Sequence, residues 1–147
     1  MPLADGIRIT LEDSPSPDDL RRVQDGLTQF NLKFAPEESY RPLNVFLRDE
    51  TGAVRGGALG ETYWSWLHVS ILWVDEALRG AGHGSRLLAE AEAEARHRGC
   101  RHVHLDTLSF QALPFYERLG YTVFGTLDDF PEGHQRYFLQ KRLTADR

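Results

Sequence analysis

The sequence predicts an α/β chain of the α+β kind, with residues 1–147 as a single domain. Its elements read as six to seven strands and about four helices in the order β-α-α-β-β-β-α-β-α-β-β. Three observations lead there. Residues 66–98 run from an apolar strand through a glycine turn into a strongly helical segment. On either side lie short runs of period-two alternation bounded by turn residues, the pattern of half-buried strands. A length of 147 residues, 41% hydrophobic and 27% charged, suits one globular core.

Residues 6–12 read as a first strand, with Ile7, Ile9 and Leu11 on one face. A helix follows, with Ser16 as its cap, Pro17 at a position that needs no N–H, and Asp18 and Asp19 complementing the dipole. Leu20, Val23, Leu27 and Phe30 form its apolar stripe. A short second helix is expected at residues 36–40, ended by Pro42. Residues 43–48 and 53–66 read as an antiparallel pair joined by Asp49-Glu50-Thr51-Gly52. Gly56, Gly57 and Gly60 mark the second of these strands for a bulge or a close backbone approach.

Leu67, Val69, Ile71 and Trp73 alternate with His68, Ser70, Leu72 and Val74 in a fourth strand. The helix after the glycines carries Leu87, Leu88, Ala91 and Ala95 on one face and stops near Gly99. Residues 102–107 read as a fifth strand. A helix is expected over residues 109–119, or from nearer Pro114, with Gly120 at its end. Residues 121–126 and 135–142 are the last two strands, separated by a long acidic loop.

The turn Arg79-Gly80-Ala81-Gly82-His83-Gly84, followed by Ser85, carries the chemistry. The first N–H groups of a helix lack internal partners and lie at the positive end of its dipole, so they suit an anion. Glycines let phosphate oxygens approach the backbone closely. No Lys-Ser/Thr pair follows the last glycine, and the spacing is not that of a dinucleotide fingerprint, so a nucleotide-binding protein is disfavoured.

Arg79, Gly82 and Gly84 instead follow the Gln/Arg-x-x-Gly-x-Gly/Ala motif that binds the pyrophosphate of coenzyme A in the GNAT N-acetyltransferase superfamily. Phe115-Tyr116-Glu117-Arg118-Leu119-Gly120-Tyr121 resembles a second segment of that family, found after the fifth strand. The order of elements also resembles the family fold, which implies a mixed, mostly antiparallel sheet of six to seven strands flanked by about four helices.

The resemblance implies an acetyl-CoA-dependent N-acetyltransferase acting by direct attack of a primary amine. Leu72, Trp73 and Val74 would pair with the pantetheine arm, and Arg79, Gly80, Ala81, Gly82, His83, Gly84 and Ser85 would hold the pyrophosphate. Backbone N–H groups near Leu72 and Trp73 would meet the developing oxyanion. Tyr116 would be the general acid for the departing thiolate. His68 lies where several members carry a glutamate base, with Glu61 and Asp106 as reserve bases. Ser109 stands where many members have a coenzyme-binding asparagine and reaches less far, with Phe110 and Gln111 beside it. A non-catalytic acyl-CoA-binding module of the same fold is the alternative.

For the acceptor, Glu37, Glu38, Asp128, Asp129 and Glu132, with Tyr40, Tyr63, Trp64 and Trp66, suit a cationic amine on a small molecule or peptide. A net charge of −5 and no Lys/Arg cluster argue against nucleic acid as a partner. No apolar run is long enough for a membrane span and residues 1–10 have no signal-like core, so a cytoplasmic protein is expected. Cys100, the only cysteine, reads as a packed filler, and no metal site is expected. Dimers are common in the resembled family, and the last strand, with Tyr137, Phe138 and Leu139, is the candidate edge for a homodimer.

Overall fold

The computed structural model describes residues 5–144. The chain divides into two compact units, one ending at Glu37 and one beginning at Glu38. Among its described residues the first contains one regular element, helix α1 (Pro17–Asn31). Its start follows the sequence expectation: the Ser16 side chain accepts the Asp19 N–H at 3.1 Å, and Pro17 sits in the first turn.

Two expected elements do not form. Residues 6–12 contain no strand. Alternation defines a face, but a strand also needs a partner for its N–H and C=O groups, and among the described residues of this unit the one regular element is a helix. Residues 36–40 contain no helix. Ser39 takes φ 56°, and Pro42 holds the residue before it extended, so the segment leads directly into a strand. Among the described residues there are therefore six strands and three α-helices, not four.

The second unit is built on one sheet. Its strands are β1 (Arg41–Arg48), β2 (Val54–Tyr63), β3 (Trp66–Val74), β4 (His102–Leu108), β5 (Thr122–Asp128) and β6 (Gln135–Arg142), in spatial order β1-β2-β3-β4-β6-β5. Only β3 and β4 are parallel. A parallel pair needs a crossover, and helix α2 (His83–His97) supplies it.

The expected strand at 53–66 is cut by Trp64 and Ser65, with φ 45° and 65°, which form a two-residue hairpin closing Tyr63 against Trp66. Such turns favour Asn-Gly, so Trp-Ser gave no warning of one. The C-terminal strand β6 is not an edge: it lies between β4 and β5, and Leu139 is fully buried. The free edges of the sheet are β1 and β5, so β6 has no open side for a second copy.

The core forms where α2 covers one face of the sheet. Leu87, Leu88, Ala91 and Ala95, the stripe legible in the sequence, are buried with Leu67, Val69, Val103, Leu105 and Leu139. One carboxylate sits inside this layer. Glu92 accepts the Tyr121 hydroxyl at 2.8 Å and the Lys141 ammonium at 2.8 Å. Cys100 is buried, which pushes its thiol pKa up and suits a filler. Helix α3 (Leu113–Arg118) is shorter than residues 109–119 and starts with Pro114 in its first turn. Among the described residues no helix is long and apolar enough to cross a membrane.

Candidate active site

Strands β3 and β4 stay together for four residue pairs, from Trp66 and His102 to Val69 and Leu105, and then part. The cause lies between β2 and β3. Gly60 pairs with Val69 and Leu59 pairs with Ile71, which leaves Ser70 as an extra residue. A bulge of this kind bends its strand and increases its twist. Ser70 Oγ donates to the Leu59 carbonyl at 2.9 Å and holds the bulge in place. Gly60 is required there, because a Cβ would overlap the His68 carbonyl oxygen.

Beyond the bulge, residues 71–74 pair with β2 on one side and open on the other into a cleft of about 720 Å³. Leu72, Trp73 and Val74 form one wall, and Asp106, Thr107 and Tyr116 face them from β4 and α3. Alternate residues of an antiparallel strand direct their N–H and C=O groups away from the partner strand. The open edge of β3 therefore offers donors and acceptors to an extended amide ligand.

At the end of β3 the chain turns through Asp75 and a single 3₁₀ turn, Glu76–Leu78. Asp75 accepts the Ala77 N–H at 3.1 Å and Arg55 Nε at 2.9 Å, and both hold its carboxyl below the ordinary range. Arg79 lines the cleft and donates from Nε to the Val74 carbonyl at 3.0 Å. Gly80 and Gly82 have φ 83° and 84°, the left-handed region that favours glycine. Gly82 caps α2 with no side-chain bond, so the N–H groups of His83, Gly84 and Ser85 have no partner within the helix.

Tyr116 is buried against Phe115 and Tyr121, with ring centroids 5.2 and 5.8 Å away. Burial, aided by the Asp106 charge, pushes its pKa up to about 12. Asp106 accepts Arg136 Nε at 3.0 Å, and that guanidinium lies over the Phe130 ring at 4.7 Å.

The structure thus brings Leu72, Trp73, Val74, Arg79 and Tyr116 to one cleft, with residues 80–85 leading from Arg79 into α2. His68 is not in the cleft wall. It lies on β3 two residues before Ser70, with Nδ1 2.8 Å from Glu61 Oε1. Ser109 also lies outside the wall: its hydroxyl contacts His134 Nδ1 at 3.2 Å and accepts the Gln135 N–H at 3.1 Å. Gln111 does line the cleft, but its side-chain oxygen accepts the Leu108 N–H at 2.9 Å. Sequence reasoning missed Arg136 and Phe130. They reach the site because β6 pairs with β4, a neighbour relation that no motif encodes.

A parallel pair that splits beside a glycine-capped helix, inside a mostly antiparallel sheet, is the arrangement of a coenzyme A-dependent acyltransferase. The chain belongs to the acetyltransferase (GNAT) family, whose model matches residues 8–121. It is 44% identical over 116 residues to blasticidin-S acetyltransferase of Streptomyces morookaense, covering 76% of this chain and 85% of that protein. An acetyltransferase of Agrobacterium fabrum is 41% identical over 123 residues, covering 84% and 90%. The crystal structure of an acetyltransferase from Bacillus cereus superposes with a TM-score of 0.82 at 34% identity, covering 91% of this chain and 98% of that one.

The protein is accordingly an acetyltransferase enzyme rather than a non-catalytic module, and its family implies acetyl-CoA as cosubstrate. The residues present fit that group. A strand edge without a partner on one side suits its amide arm, and glycines at positive φ before a helix start suit its pyrophosphate.

Proposed function

We propose that this enzyme is an N-acetyltransferase that acetylates a primary amine on a small molecule or peptide, with Tyr116 as general acid and His68 as general base. The observation that carries this reading is the cleft between β3 and β4 with Tyr116 in its wall. The relative named for blasticidin-S favours a small-molecule acceptor.

When bound, acetyl-CoA supplies a thioester: the amine nitrogen bonds to its carbonyl carbon, the carbon–sulfur bond breaks, and coenzyme A leaves as the thiol. The backbone of Leu72, Trp73 and Val74 would hold the pantetheine arm and present N–H groups to the negative charge on the carbonyl oxygen. Arg79 and the N–H groups at residues 82–85 would hold the pyrophosphate.

His68 takes one proton from the ammonium group through a water and passes it to solvent. Tyr116 gives its proton to the sulfur and recovers one from the amine nitrogen, so it ends each turnover as it began. With its pKa at about 12 against about 8.5 for a thiol, a full transfer to the thiolate runs uphill on its own. Tyr116 therefore acts first as a hydrogen-bond donor to the growing negative charge, and the transfer completes as the amine proton arrives.

Thiol release from acetyl-CoA, measured across a panel of small amines, peptide amines and aminoacyl-tRNA, tests this reading. Turnover with small primary amines or peptides is the expected outcome. Turnover confined to aminoacyl-tRNA would overturn it.

A further inference from the structure

Three residues form one row across the sheet at the level where the cleft begins to open. Glu61 on β2 pairs in register with His68 on β3, and His68 pairs with His104 on β4. The row sits one residue pair before the last pair joining β3 and β4. The two imidazoles stack with centroids 4.5 Å apart and planes 19° apart. The indole of Trp66 meets His104 edge-on at 5.6 Å and itself stacks on His102 at 4.5 Å. His104 is thus fitted between the face of His68 and the Trp66 ring, and neither histidine is fully exposed.

We infer that His104 is a positioning residue for His68: its ring holds the His68 imidazole in the orientation that keeps Nδ1 on Glu61 and leaves Nε2 free to accept the substrate's proton. This inference rests on His68 being the base.

The chemistry follows from what each partner can do. A carboxylate can only accept, so Nδ1 of His68 carries the hydrogen toward Glu61, and the lone pair is left on Nε2. One hydrogen bond fixes one ring atom but not the ring plane, and the stacked His104 fixes the plane.

A partner in that place must also stay neutral, because His68 becomes a cation when it takes the proton. Burial, followed by the neighbouring His68, lowers the His104 pKa, while Glu61 and Asp106 pull weakly the other way. On β6, uncharged Gln140 stands opposite His104, and Arg136 is engaged by Asp106. Burial and the His68 ring thus outweigh the two carboxylates and favour an uncharged ring.

His104→Phe keeps a flat ring without a titrating nitrogen, whereas His104→Leu fills the space without one. The Phe variant is expected to keep kcat within about 3-fold of the parent, and the Leu variant to lose about 10-fold in kcat with KM for acetyl-CoA unchanged. Nitrogen-15 spectra of the His68 ring should show a single Nδ1–H tautomer in the parent and the Phe variant, and a tautomer mixture in the Leu variant. Equal kcat values for the Phe and Leu variants would overturn the inference. So would a single tautomer retained in the Leu variant. His68→Ala separates the two levels: a normal rate there removes His68 as the base, while a slow His68→Ala enzyme beside an unimpaired His104→Leu enzyme removes only the role of His104.

Discussion

Replacing Tyr116 by phenylalanine is expected to lower kcat about 100-fold while leaving acetyl-CoA affinity within about 2-fold. The ring fills the same buried space between Phe115 and Tyr121, so packing is kept and only the hydroxyl is lost. Steady-state kinetics alongside calorimetric binding of acetyl-CoA separates the two effects. An unchanged kcat would remove Tyr116 from the mechanism.

The raised pKa adds a pH signature. A phenol whose folded-state pKa is about 12 stays protonated well above the pH at which an ordinary tyrosine ionises. Tyr116 should therefore produce no fall in kcat between about pH 8 and 10. The linkage to stability has the opposite sense. The unfolded chain loses this proton near pH 10 and the folded chain only near 12, so the stabilisation is complete below about pH 10 and is lost as pH rises toward 12.

The second large effect concerns the scaffold behind that ring. Glu92→Ala should destabilise the protein by about 3 kcal/mol, because it leaves the Lys141 charge without its partner and the buried Tyr121 hydroxyl without an acceptor. The thermal midpoint should fall by roughly 10 °C. Tyr121 packs against Tyr116, so kcat should also fall, with less effect than the loss of the Tyr116 hydroxyl. Scanning calorimetry of the variant checks the stability; a midpoint shift within about 2 °C would show that the Glu92 cluster contributes little.

The parts of this site that were legible in the sequence share one property: each is encoded within a short stretch. The strand before Asp75, the glycines at 80 and 82, and the apolar stripe of α2 are local patterns, and they form as expected. Gly60 signalled a bulge by its lack of a side chain, although not that Ser70 would be the extra residue. Relations between distant strands were not legible. Arg136 meets Asp106 because β6 inserts between β4 and β5, and His68 meets Glu61 and His104 because three strands share a register. The strand expected at residues 6–12 failed for the same reason in reverse: its alternation was present, but no strand pairing is formed there.

Backbone hydrogen exchange with and without acetyl-CoA tests most directly the claim that the donor lies where β3 and β4 part. The expected result is added protection at Leu72, Trp73 and Val74 and at the first turn of α2, His83, Gly84 and Ser85, with little change in β1 and β5. Protection absent from both segments, or appearing instead around Cys100 and Arg142 at the opposite end of β4, would contradict it.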